Sequence, residues 1–313
     1  MVKNMDSGKR WGKRQKDDRD WVGYNEELVV RGEFLLDTDW VKSWNVELEA
    51  MNQGKVGAKY EYPESLIKLQ AIWHQWFDYR GIEGVTRKLV EACQLPDYND
   101  YTTANRRVNK LDVKFRLPKS GSVSVSCDGS GMQFGNAGEH RERMYGNKNK
   151  RFIKIVITAD PKTKKLLECD VSIVGEELSE PEIAEANMKI LIHHGITISK
   201  FWGDGSYDVH NLFDFLDEYD IESAIKIRKN AVLRGNGCRR DKEVQEYRKW
   251  KYKKWAKKKS YGLRWLGTEG IFSAVKRKFG EKTSSRDPEN AIKEVRLRFW
   301  VYDEMKEYAR MLA

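Results

Sequence analysis

The hydrophobic period of this chain first changes near residue 118, and that change sets the order of its architecture. From Pro63 onward Leu66, Leu69, Ile72, Trp73, Trp76 and Phe77 recur at helical spacing, a stripe that opens after Pro63 and that Gly81 is expected to close. Two further helices are expected, Ile82 to about Ala92 and Thr102 to about Asp112, separated by the turn-rich QLPDYND. Upstream, Tyr24 to Met51 reads as two helices around Gly32 and Asp37. Beyond Leu117, Pro118 and Ser120 to Ser122 the period becomes two. In SVSVSCDGSG, Val123, Val125 and Cys127 face one way and Ser124, Ser126 and Asp128 the other, a strand with Asp128 at its end. Strands Phe152 to Thr158 and Leu166 to Val174 complete an antiparallel meander. A helix Glu180 to His194, a strand Ile196 to Gly203, a helix Val209 to Glu218 and a strand Ser223 to Ile227 follow. The expected fold is therefore α+β: an all-helical N-terminal region, then a mixed five-stranded sheet with flanking helices.

Charge is unevenly spread. The net charge is +10, and between Arg239 and Arg264 stand twelve Lys or Arg against three acids. A local field of that sign suits a polyanion, with nucleic acid first and an anionic membrane surface second. The run RKWKYKKWAKKKSYGLRW interleaves Trp250, Tyr252, Trp255 and Tyr261 with cations that include Lys253 and Lys254. Such a run can meet phosphates with one set and stack on bases or sugars with the other; it can equally be an amphipathic helix with its aromatics buried. Within the helical region, Ala104, Val108 and Leu111 share one face of the Thr102 helix, and Arg106, Asn109 and Lys110 the other. An apolar inner face under an Arg/Asn/Lys outer face is what a helix-turn-helix reader of DNA needs, with Arg107 beside it as a further contact. The competing reading is a helical bundle with a basic solvated face.

Three acids stand where chemistry can use them. Asp128 and Asp204 each close a strand and precede Gly, which leaves room for a backbone or phosphate to approach. Glu269 begins the apolar stripe Ile271, Phe272, Val275, Phe279, and Lys276, seven residues on, shares its edge of the helix. Gly280 is expected to end that helix in the left-handed conformation, with Lys276, Arg277 and Lys278 in its last turn. Three converging carboxylates repel unless a cation sits among them, and hard oxygen ligands suit Mg2+ or Mn2+ for in-line phosphoryl displacement. Asp160, in the turn ADPKTKK, Asp170, in mid-strand, and Asp208, at a helix start, are the competing acids and rank lower.

These residues resemble the DDE transposases of insertion sequences, in particular the insertion-sequence-five-like branch, over about Tyr24 to Gly280. Asp128-Gly129-Ser130-Gly131 resembles the first Asp motif and Asp204, with Tyr207 and Asp208 behind it, the second. Tyr261, Arg264, Glu269 and Lys276 resemble the Tyr-Arg-Glu-Lys signature, with four residues between Arg264 and Glu269 where three are usual. The resemblance implies an end-binding helical region over 24–117 and a catalytic domain over 118–313, whose order of elements is that of a ribonuclease-H-like domain; residues 1–23, which mix charges and Gly without periodicity, are expected to form a mobile arm. It also implies metal binding by Asp128, Asp204 and Glu269, phosphate contact by Lys276, and strand positioning by Arg264 and Tyr261. The partners would be the element's ends and target DNA, with a dimer or larger assembly on DNA. A transposase-derived DNA-binding protein without catalysis, and a nuclease that cuts without joining, share the same residues.

Other function classes find little support. No CxxC or HxxxH spacing is present, so Cys93, Cys127, Cys169 and Cys238 are expected to be free buried thiols, and His193-His194 a helix end. Without a signal peptide or a long apolar run, a cytoplasmic, nucleoid-associated protein is expected, with no membrane or small-molecule partner.

Overall fold

A computed structural model describes residues 20–118, 121–134, 152–175, 178–235 and 237–312. Most of the arm expected over 1–23 lies outside them. Within them Asp20 accepts a hydrogen bond from the Val22 amide and caps a helix α1 (Trp21–Glu33), so residues 21–23 are helical. Two compact units emerge. Among the described residues the smaller comprises 20–37 with 305–312, and in it the rings of Phe34 and Tyr308 stand 5.4 Å apart. The larger comprises residues 38–304.

The larger unit begins with helices α2 (Trp44–Asn52), α3 (Glu64–Trp73), α4 (Tyr79–Glu91) and α5 (Tyr101–Val108). Trp44, Leu66 and Leu95 make a small core among them. Of the expected stripe, Leu66, Leu69, Ile72 and Trp73 are buried in α3, but the helix ends at Trp73 with Trp76 and Phe77 beyond it exposed, and Gly81 does not close it. Asp78 accepts from the Gly81 amide at 2.7 Å and starts α4 there, so an N-cap overrides the glycine. Asp100 caps α5 in the same way through the Thr102 and Thr103 amides. At the joint, His74 donates from Nδ1 to the Phe77 carbonyl at 3.1 Å and stacks on Tyr79 at 4.1 Å. Burial pushes its pKa below the ordinary value. The unfolded chain therefore binds the proton more readily, and stability falls as pH drops below about 6.5. Urea midpoints at pH 7.5 and 5.5 should differ more for wild type than for His74→Gln.

A mixed five-stranded sheet follows, in the order β3-β2-β1-β4-β5. Its strands are β1 (Ser122–Gln133), β2 (Phe152–Asp160), β3 (Lys165–Ile173), β4 (Thr197–Gly203) and β5 (Glu222–Ile225). β1–β2 and β2–β3 pair antiparallel, β1–β4 and β4–β5 parallel. Helix α6 (Glu180–His193) precedes β4 and α7 (His210–Glu218) precedes β5. Val123, Val125 and Cys127 point into a core with Ala184, Met188 and Leu191 of α6 and Leu212, Phe213 and Leu216 of α7. Ser124 and Ser126 alternate with them, as the period-two pattern requires.

After β5 come α8 (Arg239–Lys258), α9 (Leu263–Gly267), α10 (Glu269–Phe279) and α11 (Pro288–Leu312). The basic segment is not one helix: Lys251 has φ 56° and ψ 158°, so α8 breaks there. Trp255 and Tyr261 turn inward and join Trp202 in a second core, whereas Tyr252, Lys253 and Lys254 stay exposed. Gly280 ends α10 with positive φ (85°) but an extended ψ (172°), not the left-handed helical conformation. The thiols are free, but only Cys127 and Cys169 are buried; Cys93 is exposed and Cys238 half-buried. His194 closes α6, its Nδ1 2.8 Å from the Ile190 carbonyl. No described helix is long and apolar enough to cross a membrane.

Candidate active site

Strand register brings the first two acids together. β1 and β4 run parallel with Ser126 opposite Trp202, the last matched pair before β4 ends at Gly203. Two residues further on, Asp128 and Asp204 lie on neighbouring chains just past the point where the strands part. Crevices at the carboxyl ends of parallel strands are where open α/β sheets bind ligands. Asp128 does not end its strand, however. β1 continues to Gln133 because β2 stays paired with it through Gln133 opposite Phe152. Asp204 leaves β4 and turns the chain, its Oδ1 accepting from the Ser206 amide at 2.7 Å and the Ser206 hydroxyl at 2.6 Å.

The third acid is delivered by α9 and α10. Arg264, almost fully buried, donates from Nη1 to Asp128 Oδ2 at 2.8 Å, and its Nη2 lies 3.5 Å from Glu269 Oε1. Thr268 Oγ1, between them in sequence, is 3.3 Å from the same Asp128 oxygen. The four-residue spacing from Arg264 to Glu269 thus wraps a short helix and a joint so that both reach Asp128. Gly267 makes the joint possible: a Cβ there would lie 2.8 Å from Pro161 Cα, at the β2–β3 turn. Lys276, on the same side of α10 as Glu269, donates to the Gly131 carbonyl at 2.9 Å, three residues along β1 from Asp128.

The electrostatics follow from this packing. Burial raises the Asp128 pKa, Arg264 opposes the rise and Asp204 adds to it. Burial likewise raises Glu269, again opposed by Arg264 and reinforced by Asp128. For Arg264 burial disfavours the charge, but Tyr261 and all three carboxylates outweigh it and hold the pKa above its ordinary value. One guanidinium pairs with both Asp128 and Glu269. Among the described residues no group of three or more His, Cys, Asp or Glu is arranged to hold a metal ion. Arg264 places positive charge beside Asp128 and Glu269, and carboxylates are hard oxygen donors of the kind divalent ions take.

The remaining expected contacts divide into exposed and packed side chains. Lys253, Lys254, Arg106 and Lys110 are exposed. Asn109 and Lys110 lie past the end of α5, which is shorter than the helix expected to Asp112; Asn109 bonds the Asn105 side chain. Arg107 donates to the Tyr62 carbonyl at 2.6 Å and sits over the Tyr60 ring, so it ties α5 to the preceding loop. Tyr261 is only 3% exposed and donates to the Gly203 carbonyl at 3.2 Å, directly behind Asp204. Its direct neighbours are protein, not solvent.

The rival acids are accounted for locally. Asp160 accepts from the Lys162 amide and Thr163 hydroxyl in its turn. Asp170 accepts from Asn187 at 2.6 Å, and Asp208 pairs with Arg240 at 2.6 Å. One acid near the site escaped the sequence reading. Glu180, first residue of α6, has Oε2 3.2 Å from the Ser206 hydroxyl that also serves Asp204. Its only sequence signal is a place beside a proline at a helix start, which any capping acid shares.

Comparison with known families adds an independent finding. Residues 119–303, more than half of the chain, match the family model described as "Transposase DDE domain", and residues 29–137 match a second model of the same description. No curated protein matches the chain.

Proposed function

This chain belongs to the DDE transposase family, and we propose that it binds the terminal inverted repeats of an insertion sequence of the insertion-sequence-five-like branch and catalyses metal-dependent cleavage and transfer of DNA strands. The observation that carries this reading is the junction of Asp128, Asp204 and the Arg264–Glu269 pair at the edge where β1 and β4 separate. Asp128, Asp204 and Glu269 would hold the divalent ion. Mg2+, or Mn2+ in its place, supplies Lewis-acid polarisation of the scissile phosphate and an activated water or 3′-hydroxyl when bound there.

The chain's own residues do the rest. Asp128 is fixed by the β1–β2 ladder and Asp204 by Ser206, so both carboxylates are pre-positioned. Tyr261 steadies the Gly203 carbonyl and hence the backbone entering Asp204. Arg264 places positive charge among the acids, and Lys276 offers an ammonium further along β1 to a phosphate near the cut. Lys253 and Lys254 extend an exposed basic surface after the α8 break, suited to the DNA backbone. Because two ends must be paired to be joined, the active assembly is a dimer or larger on DNA, working in the cytoplasm at the nucleoid. The 24–117 region reads the ends and residues 118–313 cut them.

The test is strand cleavage and joining on a plasmid carrying the gene with its native flanking DNA, in Mg2+, with wild type and Asp204→Asn. Cutting and joining at discrete flanking sites by wild type alone supports the proposal. Cutting without joining moves the chain to a nuclease, and binding without cutting by both proteins to a non-catalytic DNA-binding protein.

A separate prediction concerns the end-reading helix. Arg106 is exposed on α5, and Arg106→Ala should weaken binding to the element's ends by about 1–3 kcal/mol if it reads a base. Fluorescence anisotropy at fixed salt, with a scrambled duplex as reference, measures it. Equal losses on both duplexes would make Arg106 a phosphate contact instead.

A further inference from the structure

Helix α1 carries its apolar side outward. Trp21, Val22, Leu28 and Val29, with Leu36 in the single turn that follows, are between 43% and 82% exposed. At about 100° per residue the four helical ones gather with Asn25 and Gly32 into one stripe roughly 120° wide. The inward side is no better supplied with packing. Tyr24, Glu27, Val30 and Arg31 are half-buried, Glu27 and Arg31 pair with each other, and no residue of α1 is fully buried. A helix of this length is marginal in water unless an apolar face is packed, and the face able to supply that packing points to solvent. Gly32 adds a second observation. It lies near the middle of the stripe, where glycine weakens a helix relative to alanine, yet a Cβ built on it would meet nothing within 4 Å. The chain's own packing does not require glycine there, whereas the close approach of a second helix would use it.

Area and charge decide what covers the stripe. From these exposures and ordinary side-chain areas it offers roughly 500 Å² of apolar surface, against the ~800 Å² per partner, about two-thirds apolar, that a stable dimer interface takes. A two-fold contact uses the same patch on both chains, so one stripe serves both partners. Exposed Glu26 and Glu33 border it, which disfavours a nucleic-acid backbone. Residues 1–19 carry seven Lys or Arg and four apolar side chains, Met1, Val2, Met5 and Trp11, a poor match to an apolar stripe. We infer that two copies of this chain pair through the outer stripe of α1 before DNA is bound. The choice of a second copy rests on the reading that two ends are brought together and joined.

The experiment is sedimentation velocity on the full chain without DNA, over about a hundredfold range of concentration. Wild type should pass from monomer to dimer. Val29→Glu should weaken pairing about a hundredfold or more, because the pair would bury a charge that nothing answers. Gly32→Ala should weaken it as well, although within one chain alanine would only steady the helix. Val56→Glu is the control, at a 96% exposed position in the larger unit, and should pair as wild type does. A wild type that stays monomeric, a Val29→Glu that pairs as tightly as wild type, or a Val56→Glu equally impaired overturns the inference. The two readings fail separately. A monomeric wild type that still cuts and joins DNA overturns the pairing alone, whereas a wild-type dimer that Val29→Glu dissolves, with no cutting by either in Mg2+, sustains the pairing and removes the transposase reaction.

Discussion

Glu269→Gln is expected to lose cleavage at the element's ends by on the order of 10³-fold while keeping its fold and its affinity for those ends. The size follows from what a coordinated divalent ion contributes to a phosphoryl-transfer transition state, several kcal/mol, with each 1.36 kcal/mol a factor of about ten. The selectivity follows from exposure. The Glu269 side chain is 44% exposed and its partner Arg264 is 3.5 Å away, a geometry in which an ion pair is worth roughly 0–1 kcal/mol. Arg264 keeps its shorter bond to Asp128 when Glu269 is neutralised. Asp128→Asn should be as inactive but is a less clean test. It leaves Arg264, 8% exposed at the side chain, without its closest charge partner, so stability falls along with rate. Single-turnover cleavage of a labelled end duplex, paired with melting curves and end-binding isotherms, separates these outcomes. Glu269→Gln cutting within about threefold of wild type, against a transition-state contribution of this size, would remove Glu269 from the metal site.

Asp204 and Glu269 were legible because each sits where local pattern changes, whereas Asp128 lies inside a strand that continues to Gln133. Asp204 follows a buried β4 and precedes a turn, and Glu269 opens an apolar helical stripe, so strand and helix periods alone locate both. What the pattern concealed was decided by tertiary contacts. β1 runs through Gly129 and Gly131, poor strand formers, because β2 supplies ladder bonds on that side. The α8 break at Lys251 has no glycine or proline to announce it; Trp255 and Tyr261 packing onto Trp202 accompany it. No element was expected after Gly280, yet α11 follows. Its apolar positions are interrupted by a buried ion pair, Arg298 with Glu294 at 2.7 Å, which hides the stripe. Glu180 escaped for a related reason: its neighbours, Gly129 in β1 and Ser206 in the turn after β4, are distant from it in sequence.

The largest expected loss of stability falls on the acid that competes with Asp204 in sequence. Asp208→Ala should destabilise the fold by about 3–5 kcal/mol, the usual cost of removing one partner of a buried ion pair. The Asp208 side chain is fully buried, and its two oxygens take Arg240 Nε at 2.6 Å and Nη2 at 3.2 Å. The Arg228 amide adds a bond at 2.9 Å. Removal leaves the Arg240 guanidinium, 8% exposed, with the Val232 carbonyl and His210 as its other polar neighbours. Most of the loss is that stranded charge, so the double variant Asp208→Leu with Arg240→Leu should be more stable than Asp208→Ala, a non-additivity that a double-mutant cycle reads directly. Urea unfolding gives the numbers, and cleavage by the double variant gives the assignment. Because the pair anchors the turn from Asp204 to Asp208 and is buried, a stable double variant should retain measurable cutting, whereas Asp204→Asn should not. The opposite pattern, a loss under about 1 kcal/mol with cleavage abolished, falls below the cost of a broken buried pair and would make Asp208 the second acid of the site.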